Sequence, residues 1–233
     1  MPVLVVAATG MELGSALKVQ VDAPQGRVFE LSAFGRPVLA LVTGIGVVNS
    51  ALALGRALER RDVSGVLSLG VAGSFDLAAH PLGSVRLATE EIWPEFGLLP
   101  SGQCAADARG LGFSLNGVAV SDEAAIFERL VWDAHAGARA MGLNPAGLAC
   151  AASLTVSGVT ADPARARELF QRFGAGLENM EGFALAYAAR LAGTPFAELR
   201  AVSNAVGARP PEAWDLPGAL AALGRAAQQI LAP

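Results

Sequence analysis

Apolar runs that stop abruptly at small residues are what most restrict the fold open to this chain. Val3 to Ala8 is one such run, closed by Thr9-Gly10, and Val63 to Leu69 is another, closed by Gly70-Val71-Ala72-Gly73-Ser74. Phe34 to Thr43 contains a third, followed by Gly44-Ile45-Gly46, and Leu148 to Ser157 reads as a strand ending in Ser157-Gly158-Val159-Thr160. A strand with one wet face alternates apolar and polar residues, so an unbroken run requires burial on both faces, as in a sheet held between helical layers. Helical patterns separate the runs: VVNSALALGRALER ending near Arg60 or Arg61, about Ala164 to Phe173 behind an Asp162-Pro163 cap, Asn179 to Ala192, and about Pro217 to Leu231. The expectation is an α/β fold, with a single domain over residues 1–233 and a central mixed β-sheet flanked by helices in three α/β/α layers.

In such sheets ligands bind beyond the carboxyl ends of the strands. LRAVSNAVG, Leu199 to Gly207, reads as a short buried strand (Leu199, Ala201, Val202) ended by Ser203-Asn204, which puts Asn204 at that edge. Glu12 follows the first strand, and Glu181 in ENMEG opens a helix. Ser84 to Ile92 alternates as a strand, whereas Trp93 to Gly117, rich in Gly and Pro, is read as a mobile or partner-facing insertion.

Composition removes several function classes. A net charge of -4 and the absence of any Lys/Arg cluster beyond Arg60-Arg61 argue against nucleic acid as a partner. Ala, Val and Leu supply most of the 53% hydrophobic content, but no apolar run is long enough to span a bilayer, and the opening segment lacks a basic region and carries Glu12. A cytoplasmic protein without a membrane partner is expected. Cys104 and Cys150 have neither metal-ligand spacing nor the numbers of a disulfide framework, so buried thiols and no metal site are expected. His80 and His135 have no partner motif, Asp76 reads as a turn residue, and Ser157 and Ser203 sit in no nucleophile elbow. Gly44-Ile45-Gly46 lacks the third glycine and the downstream acid of a dinucleotide fingerprint, and the turn at Gly70 lacks a P-loop lysine, so no cofactor is indicated.

Taken in order, the segments ending in Glu12, TGIGVVNSALALG, GVLSLGVAGSFD with LGSV, LTVSGVT, ENMEG and LRAVSNAVG resemble the nucleoside phosphorylase and nucleosidase superfamily over nearly the whole chain. The nucleosidase branch, which holds the methylthioadenosine/adenosylhomocysteine nucleosidases and the futalosine hydrolases, is the closer likeness. Residues 93–147 resemble it least.

The resemblance implies roles that the chemistry of each residue suits. Glu181 would accept hydrogen bonds from the ribose 2′- and 3′-hydroxyls, since a carboxylate is acceptor-only and offers two oxygens to a cis-diol. Met180 would lie beneath the sugar, and Glu12 would orient and deprotonate the attacking water. Ile45, Val71, Ala72, Gly73 and Ser203 would line the base and ribose, with backbone groups of Thr160 and Ala161 against the base. A homodimer or higher oligomer is also implied.

The chain departs from the adenine-specific nucleosidases at Asn204, which stands where they have an Asp. Asn cannot titrate, but its amide can donate to N7 and O6 of a 6-oxopurine, whereas adenine would set donor against donor. A 6-oxopurine nucleoside is therefore the expected substrate, as in the futalosine hydrolases, which release hypoxanthine in a route to menaquinone. Phosphorylases of the superfamily need arginines around an anion pocket; here Ala8-Thr9-Gly10-Met11-Glu12 and Leu67-Ser68-Leu69 occupy those places, which favours water over phosphate. Trp93, Phe96, Arg109, Arg209 and Trp214 are candidates, by composition alone, for the pocket of a 5′ aryl-carboxylate extension. The alternatives are a methylthioadenosine/adenosylhomocysteine nucleosidase with an atypical Asn, a purine nucleoside phosphorylase, a nucleoside-binding paralogue without catalysis and, more remotely, a Rossmann dehydrogenase.

Overall fold

A computed structural model describes residues 1–207 and 214–232. Its spine is β1 (Val3–Ala7), which pairs in parallel with β3 (Arg36–Val42) on one side and β4 (Gly65–Ser74) on the other. β2 (Val28–Ala33) runs antiparallel at the edge beyond β3. On the far side the sheet curls back on itself. β4 pairs with β8 (Leu177–Asn179) and β9 (Phe196–Ala205), β9 with β5 (Val85–Ile92), β5 with β7 (Cys150–Thr155), and β7 with β8, which closes a ring of five strands. β6 (Arg129–Val131) hangs antiparallel on β5.

The apolar runs do what continuous burial demands. In β1, Val3, Val5 and Ala7 face one core together with α1 (Gly10–Leu17), α3 (Ala134–Ala140) and α6 (Leu216–Leu231). Leu4 and Val6 face a second core with α2 (Val47–Leu58) and α5 (Gly182–Leu191). α4 (Pro163–Phe173), capped by Asp162, packs Leu169 on a smaller cluster with Ile92 and Leu154. The mixed sheet between helical layers is thus the expected class.

Several expectations need correction. Gly70 to Ser74 is not a turn but the second half of β4, paired along its length with β9. Asn179 ends β8 rather than opening a helix, and Glu181 is the N-cap of α5. β9 is ten residues long and carries Glu198 and Arg200 fully inside. Residues 93–117 are anchored in part: Ala105, Ala106 and Ala108 are buried and Arg172 on α4 donates to the carbonyls of Ala105 at 3.0 Å and Ala106 at 2.6 Å, while Leu98, Leu99 and Phe113 are exposed. Cys150 is exposed, its sulfur 3.7 Å from Nδ1 of His135, and Cys104 is half-buried.

Candidate active site

A cleft of about 310 Å³ opens at the carboxyl ends of β1, β4 and β9. That is the small end of the range for nucleoside-sized ligands. Glu12, Ile45, Val71, Ala72, Gly73, Met180, Glu181, Ser203 and Asn204 all line it. Thr160 and Ala161 do not. Val159 lines the wall instead, while the Thr160 N–H donates to Glu178 at 3.0 Å and its carbonyl accepts from Gly207 at 3.0 Å. Both backbone groups of Thr160 are thereby used within the protein, and Ala161 is exposed.

Glu12 is placed by a capping box. Thr9 is the N-cap of α1; its hydroxyl accepts from the Glu12 N–H, and Glu12 Oε2 accepts in return from the Thr9 N–H at 3.1 Å and the Thr9 hydroxyl at 2.8 Å. The other oxygen, Oε1, takes the Val71 N–H from β4 at 3.2 Å. Only 8% exposed, the carboxyl is pushed above its ordinary value by burial, against the pull of Thr9, Arg200 and Val71. Burial thus raises the basicity of a carboxylate that stays hydrogen-bonded in one orientation.

Asn204 is placed by a bulge. Ala72 pairs with Val202 but Gly73 pairs with Asn204, so Ser203 is the extra residue on β9. A side chain at Gly73 would begin 3.1 Å from Asn204 Nδ2 and 2.9 Å from Val206, which explains glycine there. Asn204 Nδ2 donates to the Ala205 carbonyl at 3.0 Å, and Oδ1 accepts from the Ser203 hydroxyl at 2.8 Å. With one N–H held by Ala205, a single N–H remains for a ligand, not the two that the sequence suggested. Trp214 returns beside Asn204 through an antiparallel bridge and, with Leu216, forms an apolar wall.

Glu181 sits where two helix ends meet. Its Oε1 accepts from the Gly46 N–H at the start of α2 at 3.0 Å, and Oε2 is 3.4 Å from Nη1 of Arg200. Arg200 is 2% exposed and also contacts Glu198 Oε1 through Nε at 2.6 Å. Its Nη1 would lie 2.5 Å from a Cβ at Gly70, so glycine leaves its path open. Each oxygen of Glu181 keeps a lone pair for the cleft.

Sequence reasoning missed Thr9, Glu178, Asn179 and Arg200. Thr9 and Glu12 have capping-box spacing, and Glu198 and Arg200 alternate inside an otherwise apolar strand; either pattern was a usable cue. Of the described candidates for a 5′ pocket, only Trp214 lines the cleft. Trp93 packs between Phe96 and Phe183, Arg109 lies over the Phe127 ring at 4.3 Å, and Arg209 is outside the described residues.

The model of the phosphorylase superfamily matches residues 2–232. The chain is 38% identical over 199 residues to futalosine hydrolase of Thermus thermophilus, covering 85% of this chain and 83% of that protein. It is 35% identical over 188 residues to futalosine hydrolase of Acidothermus cellulolyticus, covering 80% and 72% respectively. In fold it is similar to futalosine hydrolase of Helicobacter pylori, with a TM-score of 0.67 at 21% identity over 99% of this chain and 94% of the other. It is also similar to the 5′-methylthioadenosine/S-adenosylhomocysteine nucleosidase of Campylobacter jejuni, with a TM-score of 0.71 at 18% identity over 99% and 97%.

Proposed function

Since the chain belongs to the phosphorylase superfamily and, within it, to the futalosine hydrolase family, we propose that it hydrolyses the N-glycosidic bond of futalosine, releasing hypoxanthine and dehypoxanthinyl futalosine on the way to menaquinone. The observation that carries this reading is the pairing of a buried, proton-attracting carboxylate, Glu12, with a neutral amide, Asn204, across one cleft. Residues 1–233 act as one domain.

In this reading Glu181 accepts from the ribose hydroxyls, and Met180 supports the sugar. Water attacks C1′ as the C1′–N9 bond breaks through an oxocarbenium-like transition state. Glu12 takes the water's proton; the bonding pair leaves with the purine, which gains a proton from solvent. The free N–H of Asn204 meets the purine's acceptor edge, where negative charge builds. Ile45, Val71, Ala72, Gly73 and Ser203 shape the walls.

Hydrolysis rather than phosphorolysis is supported by the lining: among the described residues no Lys or Arg faces the cleft, while Glu12 and Glu181 would repel a phosphate dianion. The test is the rate of base release with and without phosphate. An equal rate, with a free sugar hydroxyl at C1′ as product, is expected; a sugar 1-phosphate would refute it.

The working form is a homodimer or higher oligomer. Supporting this, Met11, Ile45, Val48 and Leu52 lie exposed around the cleft mouth and along α2, at 62%, 56%, 75% and 60%. A cytoplasmic location belongs to the same reading; no helix among the described residues is long and apolar enough to cross a membrane.

A further inference from the structure

Two acids stand behind Glu181 without reaching the cleft. Glu91, at the end of β5, and Glu198, on β9, are both 0% exposed. They crowd the first residue of α5: a Cβ at Gly182 would be 2.2 Å from Glu91 Oε1 and 2.6 Å from Glu198 Oε1. Two unscreened carboxylates cannot both stay ionised at such a place. Burial and the charge of Glu198 push Glu91 well above the usual carboxylate range, whereas Glu198 has Arg200 against it. Burial raises Glu198 as well, but Glu198 has the Arg200 guanidinium in contact and Glu91 does not, so Glu91 is the acid of the two that holds a proton more readily.

Glu91 has two further attachments. Its Oε1 accepts from Asn179 Nδ2 at 2.6 Å, and its Oε2 is hydrogen-bonded to the Thr155 hydroxyl at 2.5 Å, where the O–H of a protonated acid finds an acceptor. These partners hold the start of α5. Asn179 Oδ1 accepts from the N–H groups of Glu181 at 2.8 Å and Gly182 at 2.7 Å, and Thr155 Oγ1 accepts from the Phe183 N–H at 2.7 Å. Three successive N–H groups thus hang from two side chains that Glu91 orients. On the other flank Glu198 fixes Arg200, which reaches the Glu181 carboxylate.

We propose that Glu91 is a positioning residue for ribose recognition: through Asn179 and Thr155 it sets the backbone of Glu181 while the Glu198–Arg200 pair sets its carboxylate. The inference rests on the reading of Glu181 as the acceptor for the ribose hydroxyls. A displacement of Glu181 by a fraction of an ångström weakens the contact to the 2′-hydroxyl and leaves the purine contacts alone, so the readout is selectivity for the sugar.

The experiment compares kcat/KM for futalosine and its 2′-deoxy analogue in the wild type, Glu91→Met and Glu91→Gln. Methionine keeps the volume and removes the hydrogen bonds; glutamine reproduces the neutral acid. The expected result is a preference for the ribo substrate that falls about tenfold or more in Glu91→Met, as for loss of a hydrogen bond to a charged group, and stays within about threefold of the wild type in Glu91→Gln. A wild-type preference that survives unchanged in Glu91→Met overturns the positioning role alone. Absence of any preference in the wild type overturns the reading of Glu181 and the proposal with it. Should Glu91→Met not fold, Thr155→Val cuts the same link isosterically, and an unchanged preference in that variant overturns the proposal.

Discussion

The hydroxyl of Ser203 donates to Oδ1 of Asn204 at 2.8 Å, and this contact decides which way the amide of Asn204 faces. The Ala205 carbonyl, 3.0 Å from Nδ2, admits a donor but repels an oxygen, so the nitrogen stays on its side and the oxygen turns to Ser203. One N–H of this cleft-lining residue is left without a bond to Ala205. Removing the hydroxyl in Ser203→Ala takes away one of the two holds on the amide, and kcat/KM for the oxopurine substrate should drop about 3- to 10-fold, the worth of one neutral hydrogen bond. Steady-state kinetics on that variant check it; no loss would mean that Ala205 alone holds the amide.

Asn204→Asp exchanges the neutral amide for a carboxylate that repels O6 and accepts from a 6-amino group. Release of hypoxanthine should fall by on the order of 100-fold or more, since a polar site built for one pattern rejects the other strongly. Release of adenine from methylthioadenosine should rise relative to it. Chromatography of both bases from the one variant gives the ratio, and a ratio unmoved by the substitution would take Asn204 out of base selection.

Glu12 must be ionised to take a proton from water, and burial raises its pKa above the ordinary 4.5. The acidic limb of kcat/KM should therefore lie above that value, with activity lost as pH falls through it. Glu12→Gln should abolish the limb and lower turnover by about 100-fold or more, the scale of general-base catalysis. Binding of a non-hydrolysable nucleoside, followed by calorimetry, should change little. Retained turnover in Glu12→Gln would remove Glu12 from the chemistry.

Glu91 makes a separate prediction about stability. Its pKa is raised in the folded protein by burial and by Glu198, so the native state keeps a proton that the unfolded chain gives up. Stability contributed this way is fully present below the unfolded value, about 4.3 for a free Glu, and is lost as pH rises toward the folded value. Glu91→Gln has no proton to lose. Its melting temperature relative to the wild type should climb as pH is raised above the ordinary carboxylate range; a constant difference would show that Glu91 ionises freely.

The apolar strands and Glu12, Glu181 and Asn204 at their ends were legible in the sequence because burial on both faces leaves an unbroken run and ligands gather where such runs stop. Other features were hidden for physical reasons. Gly70 to Ser74 reads as punctuation, yet Gly70 is a strand residue whose missing side chain gives Arg200 its path. Glu198 and Arg200 stand out as charges in an apolar strand, but alternation alone cannot reveal that both are buried and that each covers the other's charge. Asn179 reads as the first residue of a helix, and only the register of β8 against β7, with Thr155 opposite Asn179, shows it as the strand-end side chain that holds the Glu181 N–H. Thr160 and Ala161 belong to a loop with no periodicity to fix which residue faces the cleft; there Val159 lines the wall and the Thr160 N–H is given to Glu178.

Base release from futalosine, inosine and methylthioadenosine, resolved by chromatography in phosphate-free buffer, tests the proposed activity most directly. Hypoxanthine from futalosine, with little base from the other two nucleosides, is the expected result. Adenine released from methylthioadenosine faster than hypoxanthine from futalosine would contradict it.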